Sequence, residues 1–461
     1  MMSVVTPELL RRFDVAGPRY TSYPTADRFV EAFGEADYLR ALDQRSAGVA
    51  VRMLPLSLYV HIPFCESLCY YCACNKVVTR HHEKGADYLR YLAREVDLQV
   101  AHLGAGNAVS QLHLGGGTPT FLSDAELAEL MATLRRNFAF ASDGEYSIEI
   151  DPRTVDATRL AHLRGLGFNR LSYGVQDFDH AVQKAVHREQ SFEQVAALTE
   201  AARALNYASV NFDLIHGLPL QTPASFERTL EQVLQLRPDR IALYAYAHLP
   251  ERFKPQRRIA AAELPSATAK LAMLASALTA FEAAGYVYVG MDHFALPDDA
   301  LAIAKRQGRL HRNFQGYSTQ PDSDIVALGV SAIGCVGATY SQNAKTLDDY
   351  YDLLDQGRLP VVRGLALSRD DVLRRSVIMA LMCQGELEFD TIEQSYLFRF
   401  KSYFAAELEQ LSGLQDDGLV KIDPDRICVT ARGWYFVRAI AMVFDCYLQF
   451  DRARTRFSKI I

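Results

Sequence analysis

Four of the chain's eight cysteines fall within ten residues of one another, in the stretch Tyr59–Cys74, YVHIPFCESLCYYCAC. Cys65, Cys69 and Cys72 are spaced C-x3-C-x2-C, and Cys74 follows two residues later. Soft sulfur ligands at this density select zinc, copper(I) or an iron–sulfur cluster. Structural zinc sites usually draw paired ligands from distant segments; here Cys335, Cys383, Cys428 and Cys446 are scattered singly. Ordinary iron–sulfur clusters take four cysteines, and the ferredoxin runs have other spacings. Three ligands on one loop therefore imply a cubane cluster with one iron left open for a substrate or cofactor. A zinc knuckle and a set of buried thiols are the other readings of the same residues. Disulfides fit least, because nothing in the chain suggests secretion.

Such a loop needs a rigid mount. Leu56–His61, just upstream, is a short apolar run that reads as a buried strand. Strand and helix patterns then alternate as far as about residue 250. Further strands are expected at Gln111–Leu114, Tyr146–Asp151, Arg170–Val175, Ser209–Leu214 and Arg240–Tyr246. Amphipathic helices are expected at Tyr88–His102, Asp124–Phe138 with Ser123 as its N-cap, Phe192–Leu205 and Ser225–Leu236. Regular β–α alternation predicts a parallel sheet with right-handed crossovers. Six units rather than eight predict an α/β fold with a partial (β/α)6, TIM-like barrel.

The C-terminal ends of such strands carry active sites, and here they carry polar or glycine residues. Gly115-Gly116-Gly117-Thr118 follows the second strand, and Glu149, Gln176 and Asp213 close the third, fourth and fifth, with Arg188 just after the fourth. Polar groups at the same end of successive strands converge on a ligand. A carboxylate suits ribose hydroxyls or an ammonium, and an arginine suits a carboxylate. His61 is placed to orient the cysteine loop.

Outside the barrel, residues 1–50 form a lead-in strap whose Pro18–Pro24 stretch cannot be helix interior. Residues 51–360 hold the barrel and its extension, and 361–461 a mostly helical, winged-helix-like domain with a hairpin at Leu419–Thr430. Hydrophobic residues make up 49% and charged residues 23%, as in ordinary globular proteins. A net charge of −6 argues against bulk nucleic-acid binding. No run of about 18 apolar residues could span a membrane, and the N-terminus lacks a signal-peptide layout. A reduced cytoplasm is the expected location, and it suits an oxygen-sensitive cluster.

C-x3-C with an aromatic, Tyr71, before the last ligand cysteine resembles the radical S-adenosylmethionine (SAM) signature, and the GGGT turn resembles the turn that holds the methionine end of SAM. Thr118 stands where glutamate is commoner. RYTSYPTA, GGGTPT, EIDPR, GVQDF, DLIHGLP, GMDHFA and HRNFQGYST, together with the cysteine motif, narrow the resemblance to the oxygen-independent coproporphyrinogen III oxidases. It covers nearly the full chain. It implies that Cys65, Cys69 and Cys72 hold a [4Fe–4S] cluster. SAM, in two molecules, would be lined by Tyr59, Tyr71, Gly116, Gly117, Thr118, Glu149, Gln176, Arg188, Asp213, Ala247 and Ile333. The reduced cluster would split SAM, and the resulting 5′-deoxyadenosyl radical would take a hydrogen from a propionate. Two rounds would turn coproporphyrinogen III into protoporphyrinogen IX. An external reductant, an electron acceptor and a monomeric state are implied as well. Cys74 would be a non-ligand thiol needed for turnover, and Tyr59 is the other candidate catalytic residue. Arg19, Lys254, Arg257, Arg258 and Arg312 are candidates for the substrate carboxylates. The haem-chaperone relatives are the alternative on the same scaffold; they typically have an aromatic in place of Cys74 and lack the strap.

Overall fold

The structure, a computed structural model, describes residues 7–13, 15–48, 54–320 and 323–450. The ends of the strap segment and of the C-terminal segment therefore lie outside the described residues. The chain folds into two compact units. One comprises Phe29–Ser266 with Ser323–Ala366, and the other the described parts of Met1–Arg28, Ala267–Asp322 and Leu367–Ile461. This division cuts across the linear segments 1–50, 51–360 and 361–461, since each unit is assembled from stretches far apart in sequence.

The first unit holds the six strands expected, as β1 (Leu56–Ile62), β2 (Asn107–Gly116), β3 (Phe138–Ile150), β4 (Arg170–Gln176), β5 (Ser209–His216) and β6 (Arg240–Ala245). Each pairs in parallel with the next. Parallel strands covered on both faces read as continuous apolar runs, and Leu56, Leu58, Val60 and Ile62 of β1 are fully buried. The register sets Val60 opposite Leu114 and Gly174 opposite Asp213, which brings the strands' C-terminal ends level.

The crossovers are helical: α1 (Glu83–Leu103), α2 (Asp124–Asn137), α3 (Ala157–Gly165), α4 (Phe192–Ala204) and α5 (Pro223–Leu236). Ser123 caps α2 in a reciprocal capping box with Glu126. Thr222 caps α5, whose first residue is Pro223. On the other side of β1 lies a seventh parallel strand, β7 (Ile325–Leu328), with Tyr59 opposite Ala327. It leads into the antiparallel strands β8 (Ile333–Val336), β9 (Thr339–Asn343) and β10 (Val361–Ala366). Gly329, Gly334 and Gly337 interrupt the stretch 327–337 and hide its strands from a pattern reading.

The second unit is built around an apolar core that includes Phe389, Phe400, Phe404 and Phe444. Tyr20 and Tyr23 are completely buried in that core. The Tyr20 hydroxyl donates to Asp445 at 3.0 Å, and that of Tyr23 lies 3.3 Å from Cys446 Sγ. Tyr20 and Tyr23 therefore pack in this unit, while Tyr38, further along the strap segment, belongs to the barrel unit and donates to Gln99 at 2.7 Å; local periodicity does not carry that choice of partner. The C-terminal hairpin forms as Val420–Ile422 and Arg426–Val429, joined by Glu386–Glu388 as a third strand.

Candidate active site

The cysteine loop leaves β1 and is tied down at both ends. A short parallel pair joins Phe64–Cys65 to Val77–Val78. The His61 ring lies 3.0 Å from the Asn75 oxygen through Nε2 and 3.1 Å from the Tyr59 hydroxyl through Nδ1. Burial pushes the pKa of His61 down, which favours the neutral ring. Behind the loop, the Tyr88 hydroxyl donates to the His61 oxygen at 2.6 Å and accepts from the Val330 amide at 3.0 Å. Tyr88 itself is fully buried.

The glycine turn after β2 presses against this loop. A Cβ on Gly117 would come within 2.6 Å of the Pro63 oxygen. Gly116 has a φ of +114°, and a Cβ there would meet the His61 ring at 2.7 Å. Gly117 and Thr118 donate to the oxygens of Ile62 and Phe64, both at 2.8 Å. The backbone of the turn thus lies against the segment that carries the cysteines.

All three motif cysteines are free thiols, and each experiences a different field. Thr118 Oγ1 donates to Cys65 Sγ at 3.5 Å, and burial raises the Cys65 thiol to about 11. Cys69 Sγ lies 3.4 Å from Arg188 Nη1 and 3.7 Å from Arg153 Nη2. Both guanidinium groups also bind Asp151, at 3.1 and 2.7 Å. Burial alone would raise Asp151; the Arg188 charge and the bonds from Arg153 outweigh it and hold the carboxyl below its ordinary range. Cys72 is shifted toward its thiolate, chiefly by a hydrogen bond from the Cys74 thiol, and the same bond raises Cys74. Cys74 is exposed.

Across the strand ends a second network forms. His113 stacks on Tyr59 with ring centroids 5.9 Å apart and lies 3.1 Å from Glu149 Oε1 through Nε2. The Gly116 amide donates to Glu149 Oε2 at 3.2 Å. Burial would raise Glu149, but the His113 and Gly116 bonds prevail and keep its pKa low. Asp213 accepts from Ser172 Oγ at 2.8 Å and from Asn211 Nδ2 at 3.0 Å. Burial, with the Glu149 charge nearby, still raises it to about 6. Gln176 closes β4 in the left-handed region, φ 67°, and among the described residues its buried Oε1 has no hydrogen-bond partner. A strained residue with an unsatisfied buried oxygen marks a place where a ligand donor fits.

Tyr59 is thus joined to Glu149 through His113 and Gly116 to Glu149 directly, and Arg188 reaches both Cys69 and Asp151. Tyr71 packs against the apolar group of Val182, Ile215 and Tyr246. Its main-chain oxygen accepts from Gln256 Nε2 at 3.0 Å. Ala247 lies on the loop after β6, and Ile333 opens β8. Sequence reasoning missed His113, Asp151 and Arg153 as site residues. EIDPR held a readable clue, because an Asp two residues before an Arg can grip it across a turn. Among the basic candidates, Arg19 is paired with Asp292. Arg312 is buried and donates to the Arg19 oxygen. Arg258 lies over the Tyr70 ring, and Arg257 holds the Pro250 oxygen.

The donor set fits a three-cysteine cluster and a polar cofactor. Three thiols share one loop, N–H and O–H donors are aimed at two of the sulfurs, and Gln176 offers an unused acceptor. A partial barrel with this loop at its first strand defines the class, and residues 59–233 match the Radical SAM superfamily. Residues 367–436 match the HemN C-terminal domain. The chain is 52% identical to the oxygen-independent coproporphyrinogen III oxidase of Pseudomonas aeruginosa and 49% identical to that of Escherichia coli K12, in each case over 98% of both chains. A solved structure of the Escherichia coli coproporphyrinogen III oxidase (HemN), described as a radical SAM enzyme, superposes with a TM-score of 0.89 at 50% identity. It covers 93% of this chain and 98% of that one. The chain belongs to the oxygen-independent coproporphyrinogen III oxidase family.

Proposed function

We propose that this chain oxidatively decarboxylates two propionate side chains of coproporphyrinogen III to vinyl groups, giving protoporphyrinogen IX without oxygen. The observation that carries the reading is 52% identity over 98% of the chain to an enzyme of that name. The unbroken set of cysteine-loop and strand-end residues supports it. Each round removes one hydrogen atom, one electron and CO2 from a propionate. An unactivated C–H bond has no useful acidity, so a one-electron cofactor must supply the reactivity while the protein binds, orients and shields.

Cys65, Cys69 and Cys72 would hold the [4Fe–4S] cluster, and Tyr59, Tyr71, Gly116, Gly117, Thr118, Glu149, Gln176, Arg188, Asp213, Ala247 and Ile333 would line SAM, in two molecules. When bound, the pair supplies a radical able to take hydrogen from carbon. Arg188 and Arg153 offset negative charge gathering on the Cys69 side. Glu149, fixed by His113 and Gly116, presents an ionised carboxylate to a cofactor ammonium or hydroxyl. The Gln176 oxygen and the Gly116–Thr118 backbone complete a polar cradle. Cys74, held next to Cys72 but exposed, would exchange a proton or hydrogen with the substrate. An external reductant and a separate electron acceptor complete the reaction, and the chain would act as a monomer.

The test is anaerobic. The protein is reconstituted with iron and sulfide, given reductant, SAM and coproporphyrinogen III, and the tetrapyrrole is weighed by mass spectrometry. Loss of two carboxyl groups, dependent on SAM and abolished in Cys69→Ser, is the expected result. Porphyrin retained without SAM cleavage or decarboxylation would overturn the reading in favour of haem handling.

A further inference from the structure

The two arginines that reach Cys69 are not equivalent. Arg188 is buried, and its Nε and Nη2 donate to the Gly174 oxygen at 3.0 and 2.7 Å, which anchors it on β4 and leaves Nη1 for Asp151 and Cys69. Arg153 stands instead on the short helical turn after β3, Pro152–Thr154, which Asp151 caps by accepting from the Arg153 amide at 3.1 Å. The same carboxylate takes Arg153 Nε at 2.9 Å and Nη2 at 2.7 Å, a two-pronged grip that fixes the guanidinium. Nη2 then lies 3.7 Å from Cys69 Sγ. The Arg153 side chain is 21% exposed, and it borders an open pocket together with Cys65, Thr118 and Thr154.

Counting charges separates the roles of the two. Arg188 already balances Asp151, so Arg153 leaves one positive charge in surplus beside Cys69. Cys65, by contrast, takes its hydrogen bond from a neutral hydroxyl, Thr118 Oγ1, at 3.5 Å. N–H donors and positive charge at a ligand sulfur favour the reduced, more negative state of an iron–sulfur cluster and raise its reduction potential. Buried neighbours are also screened by salt less than surface ones. We propose that Arg153 sets the reduction potential of the cluster held by Cys65, Cys69 and Cys72, as a positioning residue that acts through the Cys69 sulfur and is itself held by Asp151. The proposal rests on the cluster reading above. The step it governs is the uptake of one electron from the external reductant, with no bond made or broken.

The experiment is an anaerobic redox titration of protein reconstituted with iron and sulfide, without SAM. It follows the electron paramagnetic resonance signal of the reduced cluster in the wild type, Arg153→Met, Arg153→Gln and Arg153→Lys. Removing Arg153 leaves Asp151 paired with Arg188 at 3.1 Å, so the variants fold and keep their iron, as thermal melts and iron analysis check. At the wild-type midpoint, the ratio of reduced to oxidised cluster falls about tenfold in the two neutral variants, a downward shift of about 59 mV for a one-electron couple. Arg153→Lys, which keeps the charge and loses the fork, lies between. A merely structural role would change iron content or melting and leave the midpoint alone. An unchanged midpoint in a neutral variant with full iron content overturns the inference, and should one neutral variant lose iron, the other decides. Arg153→Lys shifted as far as the neutral variants overturns it too, since charge would then not be acting. A wild-type protein that builds no [4Fe–4S] cluster overturns both this inference and the reading beneath it.

Discussion

The inner and outer faces of the cysteine loop differ in how fully their charges are answered. Inside, buried Cys69, Asp151 and Arg188 and half-buried Arg153 form a tight set in which each guanidinium touches both a carboxylate and a sulfur. Outside, Cys74 and Lys345 are exposed, and among the described residues the ammonium has no ionic partner. The inner face is organised before anything binds, as suits a cofactor held in one geometry through every turnover. The outer face is open and carries positive charge toward solvent, as suits a substrate that must turn to present a second propionate. Preorganisation and adaptability thus sit on two sides of one loop.

The comparison breaks first if the inner set is not the stiffer. Arg188→Met leaves buried Asp151 with a single, half-buried cation, Arg153, and denaturant unfolding should show a loss of about 3 kcal/mol. A loss under about 0.5 kcal/mol would mean that Arg153 alone suffices. Next in size, Glu149→Gln removes an ionised acceptor from the strand ends. SAM affinity measured by equilibrium dialysis should fall about tenfold, while the cluster's visible absorption persists.

Asp213 supplies a pH signature for the same face. Its carboxyl is raised to about 6, so it is ionised above that value and neutral below. A SAM interaction that needs the carboxylate is present well above that value and lost as pH falls through about 6. Asp213→Asn should flatten SAM affinity over that range, and an unchanged slope would remove Asp213 from the site. On the outer face, Cys74→Ser should keep the cluster spectrum and lose turnover; loss of the spectrum would make Cys74 a ligand. Smallest of all, Arg252→Gln should shift stability by no more than about 0.5 kcal/mol, because an exposed cation without a carboxylate partner contributes little to folding.

Much of the barrel was legible in advance because parallel strands buried on both faces leave unbroken apolar runs, as in Leu56–Ile62. Ends were less legible: β3 begins at Phe138, well before the expected Tyr146. β7 was missed because it is a short strand next to Gly329, and its partner β1 lies far away in sequence. The cysteines, the glycine turn and Glu149 announced themselves by type and position. His113 did not, since a histidine one strand away from a glutamate meets it only once the register of β2 and β3 is known. Lys345 and Arg363 were equally silent, because charged residues on sheet-edge segments look like solvated surface until the fold places them beside Asn75 and Gln342.

The Tyr88 hydroxyl joins residue 61 to residue 330, and β1 pairs with β7 immediately beside it. On a ribosome these partners emerge in opposite halves of synthesis. A nascent chain that stops before Ile325 leaves β1 an open edge, with the cysteine loop lacking the backing that Val330 provides. The closing of that edge, and the bracing of residue 61 through Tyr88, are thus late events in synthesis.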